Sequence, residues 1–136
     1  MAILTEEHKQ YLYAHKWAVL ATGRKNGSPQ ISQIAYDFDG EDIVISIKSF
    51  TAKWKNAVRQ PKIALLVHDD RKQLIVYGEA ECIAEDHPER NALSLRVFKK
   101  LTGNNEMELS DDFTKTLDDQ QRTILRIIPG KVMMNE

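Results

Sequence analysis

The sequence has a single cysteine, Cys82, among its 136 residues. An intramolecular disulfide and a multi-cysteine zinc site are therefore excluded. The chain also has no excess of charge of one sign, because 19 Lys and Arg stand against 20 Asp and Glu, for a formal net charge of −1. A general nucleic-acid binder needs a strongly basic face, so we expect no nucleic-acid partner.

Long apolar runs are missing as well. No stretch approaches the roughly 18 apolar residues that a membrane span requires, and the opening MAILTEEHKQ lacks the apolar core of a signal peptide. The four histidines are scattered without the spacing of metal ligands. We therefore expect a cytoplasmic protein with no membrane span and no metal site.

The sequence does contain short strand patterns separated by turn residues. Strands are predicted at 17–23, 30–38, 42–49, 62–69, 73–84 and 122–134. Asn26-Gly27 and Asp39-Gly40 are typical of tight hairpin turns between the first three strands. Helices are predicted at about 5–15, 51–60 and 87–101 and within 111–121. This order predicts one mainly β (α+β) domain over 1–136, a small six-stranded antiparallel barrel with short helices.

Three further positions carry structural expectations. Gly78 stands where a long barrel strand would bend or bulge. Trp17 is expected in the core, whereas Trp54, which lies between two lysines, is expected at an interface. Either tryptophan is a candidate to flank a bound cofactor.

The helix predicted at 51–60 begins in an unusual way. Ser49 or Thr51 would be its N-cap, and Lys53 and Lys55 stand in its first turn. Because a helix N-terminus carries roughly half a positive charge, cations there cost up to about 1 kcal/mol each. Two interpretations are open. The lysines form a solvated helix face, or they bind an anion such as a phosphate together with free backbone N–H groups at 51–53.

Most of the chain resembles the FMN-binding split-barrel family related to pyridoxamine 5′-phosphate oxidase. The motifs that carry the resemblance are ATGRKNGSPQ (21–30), AKWKNAVRQP (52–61) and YGEAECI (77–83). The short chain and its tail are most like the actinobacterial branch, whose members use FMN or the deazaflavin coenzyme F-420. The resemblance implies a split β-barrel that forms a homodimer, with the cofactor at the subunit interface.

The resemblance also implies cofactor-binding residues. Lys53 matches the lysine that grips the cofactor phosphate, and Thr51 matches the residue that usually assists it. Lys55 and Asn56 are secondary candidates. The remaining implied contacts are the second-strand backbone along the ring (Ile31, Ser32, Gln33, Ile34), the third-strand ribityl and ring contacts (Ser46, Ile47) and a glutamine that often acts across the dimer (Gln73). No catalytic residue is identified.

The activity implied is that of an oxidoreductase using FMN or coenzyme F-420 for hydride transfer to a small conjugated organic substrate. A non-enzymatic flavin- or haem-binding carrier or sensor is the alternative. FMN needs one phosphate site. The longer tail of F-420 needs a basic track, which Lys48, Lys55, Arg59 and Lys72 supply only if they face one groove.

Overall fold

The computed structural model describes residues 3–135 and leaves residues 1, 2 and 136 undescribed. Its six strands are β1 (Trp17–Gly23), β2 (Pro29–Phe38), β3 (Ile43–Lys48), β4 (Lys62–Asp69), β5 (Lys72–Ile83) and β6 (Arg122–Asn135). Neighbouring strands are antiparallel in the order β1-β2-β3-β6-β5-β4, and pairing of β4 with β1 closes the barrel. The predicted six-stranded antiparallel barrel is confirmed.

Four helices flank the barrel, as expected: α1 (Glu6–Ala14), α2 (Ala52–Arg59), α3 (Arg90–Thr102) and α4 (Asp111–Asp119). A capping box between Thr5 and His8 starts α1, and Gly103, with a φ of 74°, ends α3. Helix α3 starts later than predicted because residues 87–89 form a turn, in which the Arg90 N–H donates to the His87 carbonyl. Within residues 3–135, no helix combines the length and the apolarity needed to cross a membrane.

The apolar side chains form two layers. Alternate residues of each strand point into the barrel, where Leu20, Tyr36 and Leu65 are among the fully buried residues. A second layer lies outside the barrel, where Leu93 and Val97 of α3 pack on Val44 of β3. Helix α3 therefore covers the outer face of β2, β3 and β6.

The two tryptophans lie opposite to expectation. Strand β1 buries Ala18 and Leu20, so strand alternation turns Trp17 outward, and its side chain is 46% exposed. Trp54 is partly buried and packs against the barrel core, next to the buried Ala57 one helical turn later. Strand phase, rather than side-chain hydrophobicity, turns Trp17 outward, and helix packing covers Trp54.

Gly78 lies at an irregularity between β5 and β6, as predicted. The pairing shifts between Tyr77 and Gly78, so that Gly130 of β6 is the extra residue of a β-bulge. A Cβ atom on Gly78 would lie 2.3 Å from the Ile128 carbonyl oxygen. The close approach of two backbones therefore requires glycine here.

We predict that Gly78→Ala lowers the free energy of unfolding by about 1–3 kcal/mol, because the clashing atom is backbone and cannot swing aside. Gly130→Ala is the matched control in the same bulge, since its Cβ would make an ordinary 3.4 Å contact with the Tyr77 carbonyl oxygen. Urea denaturation of both variants measures the difference. Equal losses of stability would contradict the backbone-contact explanation.

Candidate functional site

A gap opens on the barrel surface where β2 and β3 diverge. The two strands pair only between Tyr36–Phe38 and Ile43–Ile45. The rest of β2 pairs with β1, whereas β3 continues along β6 to its last residue. The unpaired halves of β2 and β3 border an open cleft of about 440 Å³. This volume lies in the range of small-molecule sites.

The cleft brings together six of the eleven residues predicted to contact a cofactor. These are Gln33, Ile34, Ser46, Ile47, Thr51 and Lys53. The remaining walls come from Trp17, Ala35, Lys48, Phe50, Leu101 and Arg122. The side chains of Ile34 and Ile47 are buried in the barrel core, so these two residues can offer the cleft only main-chain groups.

The backbone of β2 presents hydrogen-bonding groups to this gap. The Tyr36 N–H donates to the Lys16 carbonyl at 3.0 Å, on the side of β1. Main-chain groups alternate in direction along a strand, so the N–H and C=O of Gln33 point away from β1, toward β3. Because β3 does not pair with this part of β2, these groups are available to a flat ligand.

Ser46 supplies a buried hydroxyl to the cleft. It lies on the outward phase of β3, between the inward Ile45 and Ile47, and is 8% exposed. Its Oγ has no hydrogen-bond partner among the described residues. Buried hydroxyls in folded proteins almost always have a partner, so this one is suited to a polar group of a ligand.

Three cations converge at the end of the cleft beside α2. Lys48 and Arg122 are directly opposed on β3 and β6, and Lys53 is in the first turn of α2. Burial, followed by the nearby charges of Arg122 and Lys48, lowers the pKa of Lys53. Within residues 3–135, none of the three forms an ion pair with a carboxylate. The arrangement is electrostatically costly unless an anion binds there.

The N-terminus of α2 differs in detail from the sequence expectation. Thr51 is the N-cap residue, but its hydroxyl donates to the Lys48 carbonyl at 2.7 Å and does not cap the helix. The Thr51 N–H also donates to Lys48, so the open amides within the described chain are those of 52–54 and not 51–53. Ser49 is not the N-cap, because its hydroxyl is directed to Glu85.

The other predicted residues lie outside the cleft. Asn56 is buried, donates to the Thr22 hydroxyl at 3.2 Å and accepts from Arg59 at 3.0 Å. Ser32 accepts a hydrogen bond from Gln30, which in turn accepts from Thr22. These contacts attach α2 to β1 and β2. Outside the cleft are also the exposed Ile31 and Lys55 and the half-buried Gln73 on the outer phase of β5.

Sequence reasoning missed Arg122, Phe50 and Leu101. Only the pairing of β3 with β6 brings Arg122 opposite Lys48, and the signal in the sequence was a single basic residue at the start of a strand. Leu101 reaches the cleft because α3 ends there. Within residues 3–135, no three His, Cys, Asp or Glu residues are grouped closely enough to hold a metal ion.

The sequence profile of the pyridoxamine 5′-phosphate oxidase family matches residues 4–134. The chain belongs to this family. Members of the pyridoxamine 5′-phosphate oxidase family bind FMN or coenzyme F420. Among functionally curated proteins, no sequence matches the chain significantly.

Solved structures with the same fold have little sequence in common with this family member. The conserved hypothetical protein Rv2991 from Mycobacterium tuberculosis superposes with a TM-score of 0.76 at 21% identity, covering 97% of this chain and 85% of that one. An F420 reductase superposes with a TM-score of 0.73 at 22% identity, covering 96% of this chain and 98% of that one. The heme storage protein HutZ from Vibrio cholerae superposes with a TM-score of 0.67 at 18% identity, covering 97% of this chain and 94% of that one. At these identities the similarity shows the fold alone.

We predict that Ser46→Ala leaves the cofactor-free protein at least as stable as wild type, because it removes a buried hydroxyl without a partner. The same change should weaken FMN binding about 2–10-fold through the loss of one hydrogen bond. Ser32→Ala is the matched control, since the Ser32 hydroxyl already has a partner in Gln30. A loss of stability in Ser46→Ala with unchanged FMN affinity would refute this role. Thermal unfolding and FMN titration give both readouts.

Proposed function

We propose that this protein is an oxidoreductase that binds FMN in the cleft and uses it for hydride transfer to a small conjugated organic substrate. The observation that carries the proposal is the convergence of Lys48, Lys53 and Arg122, which have no ion-pair partner within residues 3–135, on the open amides of α2. A phosphate monoester is the ligand group that best matches these donors.

The charges favour a phosphate over a smaller anion. Lys53 and Lys48 contribute point charges, and Arg122 contributes a planar guanidinium that can bind two phosphate oxygens. The amides of 52–54 add donors where the helix dipole is positive. A phosphate monoester carries a charge of about −2. This charge would offset the mutual repulsion of the three cations and the unfavourable position of Lys53 in the first turn of the helix.

The structure favours FMN over F-420 because the basic track that the longer tail needs is not assembled. Lys48 lines the cleft, but Lys55 is exposed outside it. Arg59 donates to Asn56, and Lys72 lies 3.9 Å from Glu7. Coenzyme F-420 is therefore the second candidate cofactor.

The remaining cleft residues fit the other end of the same cofactor. The open main-chain groups of Gln33 would face the edge of the ring system, and the Ser46 hydroxyl would donate to or accept from a polar atom of the chain or ring. Trp17 would border one edge of the ring and exclude water there. Bound FMN would supply the hydride chemistry, and these residues would hold and orient it.

We also propose a homodimer formed through the outer face of the barrel. Strand pairing aligns Val19, Leu66, Ile75 and Met133 in one outward row. The adjacent outward row contains Ile31, Ala21, Ala64 and Tyr77. Ile31 is 68% exposed and Tyr77 45% exposed, so the face is apolar and open. Gln73 lies beside these rows, where it could reach the cleft of a partner subunit.

A non-enzymatic carrier or sensor is the second candidate function. The observation that favours it is chemical, because the titratable side chains that line the cleft within residues 3–135 are Lys48, Lys53 and Arg122, with no carboxylate or imidazole. Such a lining fits a flavin better than a haem, because none of these residues is a usual axial ligand of haem iron. Turnover of reduced FMN by an added electron acceptor would distinguish an enzyme from a carrier.

We predict that Lys53→Glu weakens FMN binding at least about 100-fold, because it removes one phosphate partner and places a carboxylate beside the anion. Arg122→Gln should cost about 10–100-fold. Flavin fluorescence quenching gives the affinities. Lys25→Glu, in the exposed β1–β2 turn, is the charge-matched control and should bind FMN as wild type does. Full FMN occupancy in Lys53→Glu would show that the phosphate lies elsewhere.

For the dimer, we predict that Leu66→Glu yields a monomer, because a charge would be buried at the centre of the apolar rows. Sedimentation velocity reports the change in mass. Lys62→Glu, exposed near the start of the same strand, is the control that should remain dimeric. A dimer that survives Leu66→Glu would place the interface on another face.

A further inference from the structure

We propose that the pocket that adjoins the FMN cleft at Trp17 is the substrate pocket, and that it takes a small planar carboxylate that stacks on Trp17 and pairs with Lys100. The proposal rests on the proposed function, because it makes the occupant a substrate of the bound cofactor. It assigns a ligand class and a binding residue to a part of the molecule outside the FMN cleft.

The cleft, a small cavity and this pocket share lining residues around Trp17, and the three together are called the groove. A small cavity of about 290 Å³ shares Trp17 and Gln33 with the cleft and includes His68. The substrate pocket, of about 500 Å³, begins at Trp17 and His68 and is closed by Tyr13, His15, Lys16 and Lys100. Trp17 therefore lines all three spaces. A ring bound at Gln33 and a molecule in the pocket would lie beside the same indole.

The polar side chains of the pocket favour an anion. Among the described residues, the pocket is lined by two lysines, two histidines, two aromatic rings and Ala14, and by no carboxylate. The Lys16 ammonium donates to the Leu101 carbonyl at 3.1 Å, and the Lys100 ammonium donates to the Leu12 carbonyl at 3.1 Å. Within residues 3–135, neither lysine forms an ion pair with a carboxylate.

Interaction with helix C-termini alone accounts for only part of the positive charge of Lys16 and Lys100. The Leu12 and Leu101 carbonyls belong to the last turns of α1 and α3, where a cation is favourable. Each helix C-terminus carries roughly half a negative charge, so two ammoniums exceed two helix ends by about one positive charge. The Asp37 carboxylate acts on Lys100 through space and raises its pKa, but it forms its ion pair with Arg96, and Asp69 faces His15. One carboxylate would balance the remainder.

The shape of the pocket favours a planar molecule. The exposed indole of Trp17 and the ring of Tyr13 provide flat apolar walls, and Lys100 lies 4.3 Å from the centre of the Tyr36 ring. Burial lowers the pKa of Lys100 to about 8, so the group still carries its proton near neutral pH. A conjugated carboxylate combines the flat π-system and the single charge that these walls accept.

The test compares cinnamate, a planar conjugated carboxylate, with cinnamamide, its uncharged counterpart. Isothermal titration calorimetry of the full chain, with and without saturating FMN, gives the affinities. We expect cinnamate to bind at least about 10-fold more tightly than cinnamamide, and Lys100→Met to remove that preference. Lys16→Met should reduce it about 3-fold, because Lys16 is exposed and more hydrated. Lys99→Met, on the same helix but outside the pocket, should behave as wild type.

Several results would overturn the proposal. These are equal affinities for the two probes, no binding of cinnamate, competition between cinnamate and FMN, or a cinnamate affinity that falls in Lys53→Glu but not in the Lys100 and Lys16 variants. If Lys100→Met does not fold, the Lys16→Met variant decides the test, because Lys16 is exposed and its replacement leaves the core intact. An unchanged preference for cinnamate in that variant would then refute the proposal. FMN titration of the same samples separates the two proposals. Cinnamate binding that depends on Lys100 in a protein that does not bind FMN would refute the cofactor and support the pocket.

Discussion

The site depends on the way in which β2 divides its pairing between two neighbours. Closure of a six-stranded barrel requires every strand to have two partners, and β2 meets β3 only over Tyr36–Phe38 before the two strands separate. Beyond that point the unpaired edge of β2 and the outward-facing residues of β3 border a gap, and no hydrogen-bonded ladder joins the two strands. The open main-chain groups at Gln33 and the unpartnered Ser46 hydroxyl are direct consequences of this divergence. The rest of the site is arranged around it.

Helix α2 places the Lys53 ammonium at that gap. The position of the helix is fixed by polar contacts on its opposite side. Asn56 is buried and bonded to Thr22, and this attachment leaves the first turn of α2 facing the cleft. Lys53 therefore projects beside Lys48 and Arg122, where both the helix dipole and its neighbours disfavour a cation. Sequences that break a local rule at one place often do so for a ligand. The repulsion stored among the three cations is what a bound phosphate would relieve.

The groove around Trp17 links the two proposed ligands. Its cationic end suits a phosphate, its middle offers a flat indole and open backbone, and its far end carries Lys16 and Lys100 at two helix C-termini. The apolar outer rows of β1, β4 and β5 adjoin the same tryptophan, so a second subunit seated there would border the groove. The proposed cofactor site and the proposed dimer face thus meet at one exposed side chain that the sequence suggested would be buried.

Local patterns in the sequence were sufficient for the elements. The Asn26-Gly27 and Asp39-Gly40 turns, the alternation within strands and the glycine at 78 predicted six antiparallel strands, and the resemblance pointed to Lys53 and Thr51 at the start of α2. These features depend on neighbours along the chain, which a sequence states directly. Tertiary structure alone decided that Arg122 stands opposite Lys48, that Asn56 holds the helix and does not line the cleft, and that Trp17 faces outward. The positions of Arg122 and Trp17 depend on barrel register and strand phase, and a one-residue shift in either would turn each side chain to the opposite face. The position of Asn56 depends on how α2 packs on β1.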